Sequence, residues 1–345
     1  PCLKVKNQPE RSNNGYLTLT VEPYGGIILS SWFDRDLSLA GSVSFLDHSH
    51  QLRSTLIDLK RPIGVIPNLA IHLNPKTNES ASINKHTDLP VIVLQETKKQ
   101  PDSFRDLILK ELRKRLGKKT VKEVLDYDLH FYDTQAPEMV GFNRDFITGS
   151  KLDNLLSCFA GFKAFIDQDA EKPGLFVCND HEEVGSQSLT GAAGTFLDSV
   201  LERICDSREA YRCMLANSTL ISVDNSHGIH PNYASKHDEN HKPLLNQGPV
   251  IKINANQRYA TNSRISSFFK MVCKKAEVPV QQFINRSDMA CGSTIGPITS
   301  TTVGVETLDI GVATFAMHSI RETCGTNDIW YLYMALKTFY EMSRS

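Results

Sequence analysis

Asp180-His181-Glu182-Glu183-Val184-Gly185-Ser186 sets two adjacent carboxylates beside an imidazole and ahead of a Gly-Ser turn. The run before it, Leu175-Phe176-Val177-Cys178, is short and apolar, which predicts a buried strand with the acids at its carboxyl end. In open α/β sheets, sites form at that end of the strands. Neighbouring residues there point different ways, so one glutamate can ligate a metal while the other handles protons. Taken alone, a Glu pair suits a solvated acidic turn equally well.

Three further polar residues stand in comparable places. Asp153 lies in Lys151-Leu152-Asp153-Asn154, where a helix is expected to begin. Asp224 closes the run Leu220-Ile221-Ser222-Val223. His318 lies in Phe315-Ala316-Met317-His318-Ser319, between an apolar stretch and an expected helix. Each has a plain alternative: an Asp before a helix is usually an N-cap, and turns use such residues widely. Together with Glu183 they form an oxygen-rich set with one imidazole, the chemistry of zinc or a similar divalent ion.

Two textures of chain must position these groups. Residues 15–72 predict short strands: 16–21, a resumption at 27–29, 37–45 and 56–59. Residues 75–90 are polar and turn-rich, hence a loop. Ser103 to Leu116 predicts a helix with Phe104, Leu107, Ile108, Leu112 and Leu116 on one face and Gly117 as its stop. Its lysines and arginines read as a solvated face. From about residue 145, strands and helices alternate. Helices are expected at 152–166, 187–205, 262–276 and 329–342, and strands at 175–178, 219–223, 250–253 and 305–310. Such alternation predicts a mainly parallel sheet covered by helices.

With 345 residues the chain has room for two domains. Its 40% hydrophobic and 22% charged residues are ordinary for a globular protein. A net charge of −1 gives no electrostatic footprint for nucleic acid. No apolar run is long enough to span a bilayer. The eight cysteines form no Cys-x-x-Cys pair, which favours a reducing compartment and argues against a cysteine zinc site.

The order of motifs resembles that of the aspartyl aminopeptidases, dinuclear zinc exopeptidases. The matching segments are 32–37 (WFDRDL), 67–73 (PNLAIHL), 152–154 (LDN) and 180–186 (DHEEVGS). They continue with 224–233 (DNSHGIHPNY), 248–259 (GPVIKINANQRY), 291–297 (CGSTIGP) and 316–322 (AMHSIRE). The resemblance spans nearly the whole chain. It implies an α/β fold: a three-layer α/β/α zinc-peptidase domain, residues 1–6 and 145–345, with an inserted β-rich dimerisation domain, 7–144. It implies Asp153 as the carboxylate bridging two zinc ions, Glu182 as general base, and Glu183, Asp224 and His318 as metal ligands. It also implies that His72 reaches a neighbouring subunit's active site and that Lys252 lies near the pocket for an acidic side chain. The implied activity is removal of N-terminal residues, preferably Asp or Glu, from peptides. The implied setting is a cytoplasmic dodecamer built from dimers, with no nucleic-acid or membrane partner.

The family carries one more ligand histidine, in a His-Thr-Asp-Ser-Pro segment whose proline matches Pro1. The expectation is therefore a longer natural chain; as the sequence stands, one zinc would be weakly held or absent. The alternatives are an inactive assembly subunit and a dinuclear aminopeptidase of other side-chain preference. His227 and His230 are candidates for support around Asp224. The pair His237 and His241 is rejected as a zinc motif, because Asp238 stands where His-Glu-x-x-His needs glutamate. Gly292 and Gly296 lack the Lys-Ser/Thr of a phosphate loop.

Overall fold

The computed structural model describes residues 1–80, 82–96, 103–169 and 173–342. The chain divides into two compact units, Pro1–Ala136 with His318–Ile320, and Pro137–Met317 with Arg321–Ser345.

The first unit is built on one antiparallel sheet. Its strands are β1 (Cys2–Asn13), β2 (Tyr16–Tyr24), β3 (Leu37–Leu46), β4 (Leu52–Asp58), β5 (Val91–Gln95) and, after helix α1 (Phe104–Leu116), β6 (Glu123–Asp133). They lie in the order β4-β3-β6-β1-β2-β5. Residues 1–6, expected with the peptidase part, instead start β1. Leu3 and Lys4 pair with Phe131 and His130, and Cys2 to Val5 pair with Tyr24 to Val21. In β6, Val124, Tyr127, Leu129 and Phe131 are buried while Asp126 and Asp128 face outward. That alternation is the mark of a sheet with one solvated face. Helix α1 covers the other. Ser103 caps it: its hydroxyl accepts the Asp106 N–H at 3.1 Å, and the Asp106 carboxylate accepts the Ser103 N–H. Arg113, Lys114 and Arg115 oppose the helix dipole in its last turn. The strand expected at 27–29 is replaced by a 3-10 turn from Leu29 to Trp32. The loop expected over 75–90 holds in its described residues, which are turns and irregular chain.

The second unit contains β7 (Glu138–Val140), β8 (Phe146–Gly149), α2 (Leu152–Asp167), α3 (Phe196–Arg203), α4 (Arg208–Ala216), β9 (Thr219–Val223), β10 (Ser226–His227) and β11 (Val250–Ile253). It continues with α5 (Ser263–Lys275), β12 (Gln281–Ile284), α6 (Ile295–Val303), β13 (Glu306–Gly311), β14 (Ala313–Phe315), β15 (Glu322–Gly325) and α7 (Asp328–Glu341). One sheet runs β12-β11-β13-β9 and a second β10-β14-β15-β8-β7. The first is mixed: β11 pairs parallel with β12 and β13 parallel with β9, but β11 and β13 are antiparallel.

Period-two alternation sends the strands' side chains to two helical layers. Ile251, Leu308 and Ile310 pack with Leu156, Phe269 and Leu332 of α2, α5 and α7. Leu220 packs with Leu197, Tyr211 and Val303 of α3, α4 and α6. This is the expected α/β architecture with helices on both faces.

Residues 175–178 and 187–195 also differ from expectation. Among the described residues, 175–178 joins no β-ladder, although Phe176 packs between Phe162 and Phe165. The helix expected over 187–205 starts only at Phe196. Its missing first part is a tight turn in which a side chain on Gly191 would meet the Ser186 carbonyl oxygen at 2.2 Å. Apolar periodicity registers neither a missing ladder partner nor a backbone contact of this kind.

Candidate metal centre

The loop that follows 175–178 is tied to itself. The N–H of Asp180 donates to Thr190 O at 3.0 Å, that of Ser186 to His181 O at 2.8 Å, and that of Gly185 to Glu182 O at 3.0 Å. His181 Nδ1 lies 2.8 Å from Ser188 Oγ. Gly185 takes φ 97, a left-handed backbone that glycine adopts without a Cβ clash. These bonds hold Glu182 and Glu183 in a single 3-10 turn rather than on a frayed loop.

Asp153 comes from the start of α2. It is not the cap of that helix: Lys151 stands at the cap position with φ 58, and Asp153 and Asn154 have non-helical torsions. Its backbone N–H donates to Glu322 Oε2 at 2.7 Å. Asn154 next to it donates from Nδ2 to Val223 O at 2.8 Å, which fastens this corner to the carboxyl end of β9. Asp224 follows directly on that strand, so the two aspartates meet. His318 sits in the turn between β14 and β15, with φ 68. The helix expected after it is instead β15, which pairs with β8 and β14. His318 Nδ1 is 2.6 Å from Gly26 O. A carbonyl only accepts, so Nδ1 carries the proton and Nε2 keeps its lone pair for a metal.

Asp153, Glu183 and His318 each offer one ligand atom, and these atoms lie within 4.8 Å of one another. Two carboxylates and one imidazole are a zinc-type donor set, and the Nδ1 bond supplies the outer support that ligating histidines require. The residues present therefore fit a zinc ion.

The electrostatics agree with a site built for cations. Burial pushes the Glu182 carboxyl up to about 7, and the charges of Asp224, Glu183 and Asp153 add to it. Burial also raises Asp224, against the pull of Lys252. A cation among these acids would relieve both effects.

Lys252 is buried on β11, with Nζ 3.0 Å from Asp224 Oδ2 and 5.4 Å from the centre of the Tyr259 ring. Its ammonium is turned to Asp224. His72 is exposed, in a turn of the first unit. His227 stacks edge-on with Phe283, and His230 accepts the Asn232 N–H. His241 pairs with Asp238 at 2.6 Å in irregular chain, as expected of a loop. Gly296 opens α6, where a side chain would strike the Asp309 carboxylate at 2.2 Å; its role there is close packing.

Sequence reasoning did not single out Glu322 or Asn154. Glu322 is only 1% exposed and holds the Asp153 backbone. Its one signal is an acid opening an otherwise buried strand, a place where an unpaired carboxylate would be costly.

The sequence family described as aminopeptidase I zinc metalloprotease (M18) matches residues 1–340. A probable M18 family aminopeptidase 2 of Pseudomonas savastanoi pv. phaseolicola is 54% identical over 340 residues, covering 99% of this chain and 79% of that protein. Among solved structures, the cryo-EM structure of the Ape4 and Nbr1 complex superposes with a TM-score of 0.92 at 36% identity, covering 99% of this chain and 69% of that one. The S. cerevisiae mApe1 dodecamer gives 0.82 at 28% identity, covering 98% and 76%.

Proposed function

The chain belongs to the M18 family of aminopeptidase I zinc metalloproteases, and on that premise we propose that it hydrolyses N-terminal residues, preferably Asp or Glu, from peptides. The observation that carries this reading is the convergence of donor atoms from Asp153, Glu183 and His318 within 4.8 Å. These come from a helix start, a 3-10 turn and an inter-strand turn, and no local structural need brings them together.

Two zinc ions would be held by Asp153 as the shared carboxylate, with Glu183, Asp224 and His318 as the remaining ligands from this chain. When bound, the ions lower the pKa of water and polarise the scissile carbonyl. Glu182 stands beside this set without belonging to the three-donor cluster. It takes the proton of the attacking water and returns it to the leaving amine. Glu322 and Asn154 keep Asp153 in place through the backbone and through β9. Lys252, whose ammonium lies 3.0 Å from Asp224, is assigned to the positive side of the pocket that favours an acidic side chain. His72 is assigned to a neighbouring subunit's site. The β-rich first unit is the dimerisation part, within a dodecamer of the kind named for the yeast relative. Eight free thiols support a reducing, cytoplasmic setting.

The test is a panel of aminoacyl p-nitroanilides with Asp, Glu, Leu and Lys, assayed with metal analysis of the same protein. The expected result is hydrolysis of the Asp and Glu substrates above the others. Glu182→Gln should lower the rate by about 10²–10⁴ while zinc content stays unchanged. Full activity of Glu182→Gln with its metals bound would remove Glu182 as the base. Faster cleavage of Leu or Lys substrates would overturn the acidic preference.

A further inference from the structure

Residues 175–178 join no ladder among the described residues, yet they lie along α2 in register. The ring of Phe176 is 6.0 Å from that of Phe162 and 6.3 Å from that of Phe165. Gly161 makes room for it: a side chain there would meet the Phe176 ring at 2.8 Å. The segment is fastened again at Leu175, whose carbonyl accepts the Tyr340 hydroxyl of α7 at 3.2 Å.

Spacing then sets two thiols against each other. Cys158 precedes Phe162 by one helical turn, about 6 Å along the axis. Cys178 follows Phe176 by one strand repeat, about 6.7 Å in an extended chain, and shares its face. A segment running antiparallel to α2 therefore carries Cys178 to Cys158, and the two thiols are hydrogen-bonded. Their surroundings differ. Cys178 is exposed and Cys158 half-buried. Burial, and the Cys178 thiol beside it, push the Cys158 thiol up to about 11. An oxidant from solvent meets Cys178 first, and Cys158 stands behind it as the second thiol. Cys205, by contrast, has the Met214 thioether as its sulfur neighbour at 3.7 Å, and a thioether cannot close a disulfide.

We infer that Cys158 and Cys178 are a redox site, closing a reversible disulfide within the chain when the protein meets a hydroperoxide. With hydrogen peroxide, the Cys178 sulfur attacks one oxygen and the O–O bond breaks. Cys178 becomes a sulfenic acid, and its thiol proton leaves with the other oxygen as water. The Cys158 sulfur then attacks the Cys178 sulfur, the S–O bond breaks, and the hydroxyl leaves with the Cys158 proton as a second water. Both thiols are oxidised and the peroxide is reduced. In a reducing compartment such a bond is transient, which suits a sensing role rather than a structural one. It would join α2, which opens near Asp153, to the chain that leads into Glu182 and Glu183. The inference rests on packing within the second unit and not on the peptidase reading.

The test treats the full chain, reduced and freed of reductant, with an equimolar amount of hydrogen peroxide. Remaining thiols are blocked with N-ethylmaleimide in urea, and the protein is digested with trypsin. Because Lys172 precedes a proline, trypsin leaves Cys158 and Cys178 on separate peptides, 152–163 and 164–203, with no other cysteine on either. The expected result by mass spectrometry is these two peptides joined with loss of two hydrogens, in greater yield than any other cysteine pair, and parted again by dithiothreitol. In Cys158→Ala the second thiol is gone, so Cys178 should persist as the sulfenic acid and give several-fold more dimedone adduct than in wild type. If that variant does not fold, Cys158→Ser serves the same comparison. Equal dimedone labelling of Cys178 in wild type and variant overturns the proposal. So does full N-ethylmaleimide labelling of Cys158 after oxidation, or a linkage confined to covalent dimers on a non-reducing gel.

Discussion

The two units solve the problem of apolar surface differently. In the first, one long-stranded antiparallel sheet and one capped helix close over Leu3, Leu37, Leu39, Leu129 and Phe131, all fully buried. In the second, α2 is apolar on both sides. Leu156, Ala160 and Ala164 face the core. On the outer side, Leu155, Phe159, Phe162 and Ile166 are 60%, 62%, 52% and 54% exposed. Their i, i+4, i+7, i+11 spacing makes a continuous stripe. Helices that are apolar all round are normally buried. The first unit exposes apolar side chains too, Leu52, Leu56 and Leu73 among them, but on β4 and in a turn rather than along one helix face.

Metal removal should give the largest separation between the two regions. Chelation is expected to abolish hydrolysis and to lower the melting of the second unit, whose buried acids then repel, more than that of the first, which supplies His318 alone. Added zinc should restore both. Calorimetry alongside the activity assay checks this, and an equal shift of the first unit's transition would erase the contrast. Asp153→Asn should reproduce the loss by removing the charge of a proposed ligand.

Next in size are the closed core and the open stripe. Phe131→Ala should cost about 3–5 kcal/mol, because its cavity has no room to collapse. Phe159→Ser should change stability by no more than about 0.5 kcal/mol, as at an exposed site. It should also reduce self-association in light scattering. Comparable losses from both substitutions would mean that Phe159 is covered in solution.

Much of the architecture was legible. The strand expected at 37–45 is β3, Leu37–Leu46, and the helix expected at 103–116 is α1, Phe104–Leu116. The helices expected at 152–166, 262–276 and 329–342 stand within a residue of their expected ends. These elements announce themselves through period and caps, which are local. The failures are non-local. Residues 175–178 have the apolar content of a strand, but a ladder needs a partner that composition does not name. Gly191 sits within a helical pattern, yet its neighbour is the Ser186 carbonyl. The expected boundary at residue 6 falls inside β1, because the pairing of Leu3 with Phe131 links positions far apart in the chain.

For the site, motif order picked out Asp153, Glu182, Glu183, Asp224 and His318. It did not supply Glu322 beneath Asp153, the pairing of Lys252 with Asp224, or the proton on His318 Nδ1. The sequence by itself determined which residues can carry charge, ligate a metal or fill a core, because residue type and short-range period fix those properties. Only the tertiary structure decided which of them share a few ångströms of space. Distance between side chains from a helix start, a turn and a strand end is set by the packing of the whole unit, and no stretch of sequence contains it.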